Sequence, residues 1–288
     1  MRGFWYTIGM ASFLPLILAT VCACGVAPER ANDFFWENDK VGFRAYGPGD
    51  PHVWSGIDLF NKMTDAGATC GEVLHNHDTC GNWHVKPWKG ILDNYTIGAS
   101  RGVGAVALFG DGEWKTYPDW ERCEVVTNCD ERCTFKLVYP AFSALGRMTY
   151  QITLKKGSRF FRNEVSFEHP KRLREFKVGP GLDLEPKRDH HGDVWEDVAL
   201  GLVALFEDPK NEVEGSTMTA VILDPSCRDG VELLTDRQNS RVLALRRPSF
   251  VYYAGGAWSK AGEIVSPEAW RKEVREFAKG LEIAPCQF

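Results

Sequence analysis

Between residues 103 and 258 the chain is a succession of short β-branched and aromatic segments, each set off by turn residues. They read VGAVALFG, WKTYPDW, CEVVTNC, CTFKLVYPAF, MTYQITLKKG, FFRNEVSFEH, FKVGPGLDL, ALGLVALFED, STMTAVILD, RVLALRR and SFVYYAGGAW. No helical pattern of about 10–15 residues intervenes, so the expected architecture is all-β, a large antiparallel sandwich. Ahead of them, DFFWEN and VGFRAYG flank Asn38-Asp39-Lys40 as strand, turn and strand, and alternation places Arg44 and Tyr46 together on one face. Only the end breaks the pattern. PEAWRKEVREFAKGL (267–281) sets Trp270, Val274, Phe277 and Leu281 on one stripe behind the N-cap Ser266, which predicts a helix lying on the sheet.

With 288 residues and 44% hydrophobic content the chain can bury a large core. No Pro/Ser/Gly linker or charge run divides it, so residues 28–288 are expected to form a single domain. The formal charge of −5 offers no basic field for a phosphate backbone, which argues against nucleic acid as a partner. The first 27 residues combine Arg2, an apolar run at 10–21 and a small-residue exit, the organisation of a signal peptide. That run is short against the ~20 residues of a membrane-spanning helix. Small residues before Cys24 fit a bacterial lipoprotein processing site with Cys24 as the lipid anchor, and ordinary cleavage near Ala23 or Ala27 fits as well. Either route makes the protein secreted or periplasmic, touching a membrane only through that anchor.

Nine cysteines suit an oxidising compartment. The seven beyond the leader suggest three disulfides and one thiol left over: Cys70 with Cys80, a pair drawn from Cys123, Cys129 and Cys133, and Cys227 with Cys286. A zinc site at Cys129 and Cys133 has no histidine within 30 residues. The loop holding His75, His77, Asp78 and His84 could in principle hold a metal, and its plainer reading is exposed polar residues between bridged cysteines. No metal site is therefore assigned and no cofactor is implied, although a divalent metal stays open.

Chemistry concentrates in residues 80–104, CGNWHVKPWKGILDNYTIGASRGVG, where titratable groups, aromatic platforms and glycines mix. His84 is a candidate general base or acid, because imidazole changes protonation near neutral pH. Asp93 and Tyr95 share one face of a strand, which makes Tyr95 a candidate proton donor. Arg101 is a candidate bidentate partner for a sugar carboxylate. Lys86, Trp88 and Asp93 are candidate substrate contacts in the same window, joined by Arg44 from the first hairpin. A second group, DLEPKRDHHGD (183–193), offers His190 as a further acid or base and Lys187 as a substrate contact. A third, YYAGGAW (252–258), offers Tyr252 and Trp258 as stacking platforms for sugar faces. Each has a plainer alternative: a core tyrosine, a structural ion pair, a solvated loop, packing at a β-bulge.

Three stretches carry a family resemblance in the same order along the chain. They are ENDKVGFRAYGPG (37–49) with SGIDLFNKM (55–63), the centre from His84 through Gly90, Asp93, Tyr95, Gly98 and Ser100-Arg101-Gly102 to Gly104, and YYAGGAWSKAGE (252–263) before a terminal helix. Together they resemble a bacterial family catalogued as domain of unknown function 4861, from about residue 29 to the C-terminus. The resemblance implies a β-supersandwich of the galactose-mutarotase type in an exported protein of polysaccharide-degrading systems. It also implies activity on oligosaccharides, including uronic-acid-containing ones. This chain departs from the family pattern at Lys86-Pro87-Trp88-Lys89, where an acidic, glycine-rich run is commoner, and the departure makes the groove more cationic.

The favoured activity is β-elimination on a uronic-acid sugar, which needs a cation for the carboxylate, a base for the C5 proton and an acid for the leaving oxygen. Arg101 or Lys86, His84 or His190, and Tyr95 would fill those roles. The alternatives are a glycoside hydrolase pairing Asp93 with Asp183 or Glu185, and a non-catalytic glycan-binding or sugar-epimerising protein.

Overall fold

The computed structural model describes residues 22–50, 55–115, 117–184, 192–209 and 211–283. The first part of the chain supplies strands Ala23–Ala27 (β1), Asp33–Glu37 (β2), Gly42–Ala45 (β3) and Ile57–Lys62 (β4), the short helix Cys70–His75 (α1) and strand Ile91–Leu92 (β5). There follow Val103–Gly110 (β6), Glu113–Lys115 (β7), Arg122–Cys129 (β8), Arg132–Tyr139 (β9), Met148–Lys155 (β10), Phe160–Phe167 (β11) and Phe176–Asp183 (β12). Gly192–Asp197 (β13), Leu202–Glu207 (β14), Thr217–Leu223 (β15), Glu232–Thr235 (β16), Ser240–Ala244 (β17), Ser249–Trp258 (β18) and the helix Pro267–Ile283 (α2) complete the described chain.

All strand pairs are antiparallel, and they form three sheets. One runs β1-β2-β3-β4-β5, a second β13-β14-β15-β18-β11-β10-β9-β8, and a third β16-β17-β12-β6-β7. The all-β antiparallel sandwich with a C-terminal helix is therefore the fold of this chain.

The pleat sorts the side chains. In β10, Met148, Tyr150, Ile152 and Leu154 are buried while the residues between them are half-exposed, the period of two that one covered face demands. The inner face of the eight-stranded sheet packs on both smaller sheets in one continuous core, with the Trp36 ring in contact with those of Phe43, Phe135 and Phe161. Part of the outer face of the same sheet, around β14 and β15, is covered by α2. There Trp270, Val274 and Ala278 meet Leu202, Met218, Ala220 and Ile222, so β15 is buried on both sides. Ser266 Oγ accepts the N–H of Ala269 at the head of that helix, and emptying the Trp270 site would cost about 3–5 kcal/mol.

Two features of the first sheet bear on the chemistry. Gly102 adopts φ 53° at a point where an added Cβ would sit 2.0 Å from the Ile57 carbonyl oxygen. Only glycine fits there, and it turns the preceding Arg101 inward. Second, the last five residues of the stretch read as a leader form β1, paired along its length with β2. The Cys24 side chain is 6% exposed within the core.

The disulfides expected from sequence are not present among the described residues. Among the described residues every cysteine is a free thiol. Cys70 opens α1 beneath Gly42, and the Cys80 thiol instead faces the Val73 carbonyl at 3.8 Å. Cys227 is buried and free, and its expected partner Cys286 lies outside the described residues.

Candidate functional site

Strand β3 turns Arg44 into the interior, directly across from Asp58 on β4. Its Nε and NH2 donate to Asp58 Oδ2 at 3.0 and 2.6 Å, and NH2 also reaches Asp93 Oδ2 and the Tyr46 hydroxyl, each at 3.0 Å. NH1 approaches Asp33 Oδ2 at 3.5 Å, and the Tyr46 hydroxyl donates to Asp58 Oδ2 at 3.0 Å. All five side chains are buried, and the guanidinium carbon lies 4.6 Å from the Tyr46 ring centre.

One guanidinium among three buried carboxyl groups leaves an excess of negative charge if all three ionise. The cluster answers by holding a proton. Burial pushes the Asp93 carboxyl up to about 8, against the pull of Arg44 and with the push of Asp58. Burial also raises Asp33. Arg44 keeps its charge, and its donors are spent on the protein, so the substrate contact expected of it is replaced by a role beneath the site.

At the mouth of this cluster stands His84, half of whose side chain is exposed. Its Nδ1 lies 2.9 Å from the backbone carbonyl oxygen of Asp93 and 3.4 Å from Asp93 Oδ2. A carbonyl only accepts, so the ring proton sits on Nδ1 and the Nε2 lone pair is free. The imidazole stacks on Trp83, with ring centres 4.4 Å apart, and Trp83 stacks on Phe60. The Asp93 N–H donates to the Trp83 carbonyl at 3.1 Å, which ties the two segments together.

His84 and Asp93 open onto a pocket of about 440 Å³ that is also lined by Arg30, Tyr46, Tyr95 and Glu214. Arg30 ends the short turn after β1 and is half-buried, and among the described residues no hydrogen-bond or ion-pair partner engages its guanidinium. Glu214 is buried on the other side. Its Oε2 accepts from Asn94 Nδ2 at 3.1 Å and its Oε1 from Asn211 Nδ2 at 2.8 Å, while its main-chain carbonyl accepts from the Trp258 indole at 2.6 Å. The pocket thus joins an unpaired cation, a histidine with a free lone pair and two carboxyl groups. A larger hollow of about 680 Å³ lies over the outer face of the eight-stranded sheet. No histidine reaches it, and its Lys136 and Glu124 pair with each other at 3.3 Å, so the smaller pocket holds the chemistry.

The remaining sequence candidates divide. Tyr95 lines the pocket, but its hydroxyl is enclosed and unbonded by normal geometry, with Thr219 close by. Burial, then Asp183 and Glu207, push that phenol well above its ordinary range, so it is too enclosed and too weak an acid for the donor role expected of it. Arg101 does not reach the pocket. Its Nε donates to Asp236 Oδ2 at 3.0 Å and its NH1 to Ser55 Oγ at 2.9 Å, in a structural ion pair at 3% exposure. Tyr252 is fully buried, donating to the Gly104 carbonyl and accepting from Asn163 Nδ2 at 2.8 Å, so it offers no stacking platform. Trp258 is likewise buried behind Glu214. Trp88 is half-buried beside α1 with the Lys89 ammonium 4.5 Å from its ring centre, and Lys86 is exposed outside the pocket lining. Lys187, His190 and the alternative Glu185 lie outside the described residues. Asp183 is buried and accepts from Ser100 Oγ at 2.7 Å.

Sequence reasoning missed Arg30, Asp58 and Glu214 as members of the site. Asp58 stood inside the quoted SGIDLFNKM, and its strand pairing with Arg44 was the signal available. Glu214, in a turn before β15, carries no local pattern. Among the described residues no group of three or more His, Cys, Asp or Glu side chains is placed to hold a metal ion. His75 pairs with Glu29 and His77 with Asp78.

Comparisons with known proteins place the chain. A protein of Formosa agariphila bearing the name "Uncharacterized protein P7" is 28% identical over 279 residues, which cover 90% of this chain and 68% of the relative. Among solved structures, the GH36 alpha-galactosidase AgaB of Geobacillus stearothermophilus aligns with 11% identity and a TM-score of 0.42, over 86% of this chain and 43% of that one. AgaA from the same organism, solved with stachyose, aligns with 10% identity and a TM-score of 0.39, over 78% and 40%. The chain spans less than half the length of each of these two enzymes. The profile of one family matches residues 10–285, nearly the whole chain, and the protein belongs to that family, the domain of unknown function DUF4861.

Proposed function

We propose that this protein is an acid–base enzyme that cleaves uronic-acid-containing oligosaccharides by β-elimination in the Arg30–His84–Asp93 pocket. The observation that carries the reading is the His84 ring, anchored through Nδ1 on Asp93 with Nε2 free in a pocket that also holds an unpaired arginine.

In this scheme Arg30 takes the sugar carboxylate in a charge-assisted pair, which acidifies the neighbouring C5–H bond. His84 Nε2 removes that proton, the C5 electron pair becomes the C4–C5 double bond, and the C4–O bond breaks. The imidazolium then returns its proton to the leaving oxygen, so both groups depart from one face of the ring. The Asp93 backbone carbonyl, 2.9 Å from Nδ1, accepts the ring N–H and supports the imidazolium between the two steps. The pocket volume lies within the range of about 300–1,000 Å³ typical of small-ligand sites.

The test is ultraviolet absorbance from an unsaturated sugar product, with uronate oligosaccharides and polymers as substrates. Absorbance that grows with the wild type and is lost in His84→Gln supports the reading, and none with any uronate polymer overturns it.

One observation favours a second reading, hydrolysis. Asp93 and Glu214 line the same cavity, and Asp93 holds a proton up to about pH 8, as a general acid must. Release of reducing ends without an absorbing product, abolished by Glu214→Gln, selects it.

A further inference from the structure

Two of the free thiols meet in the core. Cys24 lies on β1 with 6% of its surface exposed, and Cys133, near the start of β9, is fully enclosed. A side-chain clamp brings their backbones together. The Asn128 carboxamide accepts the Cys24 N–H through Oδ1 and donates to the Cys24 carbonyl through Nδ2, each at 3.2 Å. Asn128 is the direct cross-strand partner of Cys133 on β8 and β9. Direct partners project from the same face of an antiparallel pair, so Cys133 points toward the strand that Asn128 holds. Both side chains belong to one buried core cluster, and the neighbouring Cys24 thiol together with burial raises Cys133. By contrast Cys129 is exposed, Cys70 packs beneath Gly42 and the Cys80 thiol faces the Val73 carbonyl.

We propose that Cys24 and Cys133 form a disulfide in the oxidised protein, stapling the N-terminal strand to the eight-stranded sheet. The two thiols lose two protons and two electrons to a disulfide donor, either a small-molecule disulfide or a disulfide-donating oxidoreductase. One cysteine thiolate attacks the donor, a donor thiol leaves, and the second cysteine displaces the other donor sulfur, so that one S–S bond forms as another is spent. The more exposed Cys24 makes the first attack. The bond closes a loop of about 100 residues, the span over which a cross-link restricts the unfolded chain most. It also competes with lipidation, because a sulfur in a thioether cannot enter a disulfide. The staple goes beyond the acid–base reading of the pocket and does not depend on it.

The experiment is peptide mapping of the full chain, equilibrated with oxidised glutathione, alkylated while denatured and digested without reductant. A Cys24–Cys133 bridged peptide is expected. Recovery of both cysteines alkylated, of either one bridged to a different cysteine, or of Cys24 carrying a lipid overturns the proposal. A second measurement needs only folded protein. Reductant is expected to lower the Tm of the oxidised wild type and of Cys129→Ser by about 5–10 °C, and to leave Cys133→Ser unmoved. A wild-type Tm indifferent to reductant overturns the staple.

Discussion

His84 Nδ1 rests 2.9 Å from the main-chain carbonyl of Asp93, an acceptor-only atom, so the imidazole presents a lone pair and not a proton to the pocket. The same aspartate, through its side chain, reaches Arg44. One residue thereby orients the base and joins it to a buried charge cluster.

Replacing His84 with glutamine is expected to lower kcat by about 10²–10⁴-fold while leaving the unfolding free energy within about 0.5 kcal/mol of wild type. Half of that side chain is exposed, so little packing is lost. Initial rates beside urea unfolding check both halves, and full activity in the variant would remove the histidine from the mechanism.

Among the described residues no hydrogen bond or ion pair holds Arg30, and its charge acts on Asp33 and Asp93 only at longer range, so Arg30→Ala is expected to cost less than about 1 kcal/mol of stability. It should raise KM for a carboxylate-bearing sugar by about 10–100-fold, the value of one charge-assisted hydrogen bond. The neutral, carboxyl-reduced sugar should bind wild type and variant alike. Equal losses on both ligands would show that Arg30 does not read the carboxylate.

The pH dependence of stability has an unusual sign for a carboxyl group. Asp93 holds its proton up to about 8 in the fold, while an aspartate in the unfolded chain ionises near about 3.9. The folded state binds more protons across that window, so the stabilisation is complete below about pH 4 and is lost as pH rises toward 8, by up to about 1.4 kcal/mol per unit. Asp119, which burial pushes up to about 6, contributes only below that point. Denaturant titrations from about pH 6.5 to 8 should show the decline in wild type and a flatter line in Asp93→Asn. Parallel lines would mean that Asp93 is not the group titrating.

Arg44→Met should destabilise the fold by about 3–5 kcal/mol at pH 7, because it strands the buried Asp58 carboxylate without its cation. Lysine in its place is expected to recover only part of that, having no planar fork to reach Asp58 and Asp93 together. Guanidinium unfolding midpoints give the comparison.

Tyr252→Phe separates architecture from catalysis. Its hydroxyl bridges Asn163 and the Gly104 carbonyl deep in the core, so its loss is expected to cost about 1–3 kcal/mol. KM and kcat should not move, and a fall in kcat at unchanged stability would return Tyr252 to the site.

The sandwich was legible because strand patterning is local. A period of two along Met148–Lys155 or Arg132–Tyr139 declares a covered face within eight residues, and the helix Pro267–Ile283 announces itself by its stripe and its cap. The window around His84 was legible for a similar reason, since His84, Asp93 and Tyr95 lie within one short segment and do line one pocket. Burial was not legible. Arg101 and Tyr252 have the residue types of a sugar site, yet Asp236 and Ser55 claim the first and Gly104 and Asn163 the second. The Cys70–Cys80 pairing was no more legible, because nearness in the chain says nothing about which thiols the core brings together, and the core gathers Cys24 and Cys133 from different sheets.

What the sequence determined by itself was the class of fold, the terminal helix and the segment that carries the histidine, all of them consequences of spacing between near neighbours. What only the tertiary structure decided was which charges meet. Arg44 finds Asp93 across 49 residues and Asn94 finds Glu214 across 120, and Arg30 reaches the same pocket from the turn after β1. Their protonation and their freedom to bind a ligand depend on burial and on the partners left over. Those are properties of the assembled interior, where a low dielectric and competition for hydrogen bonds set the state of each group.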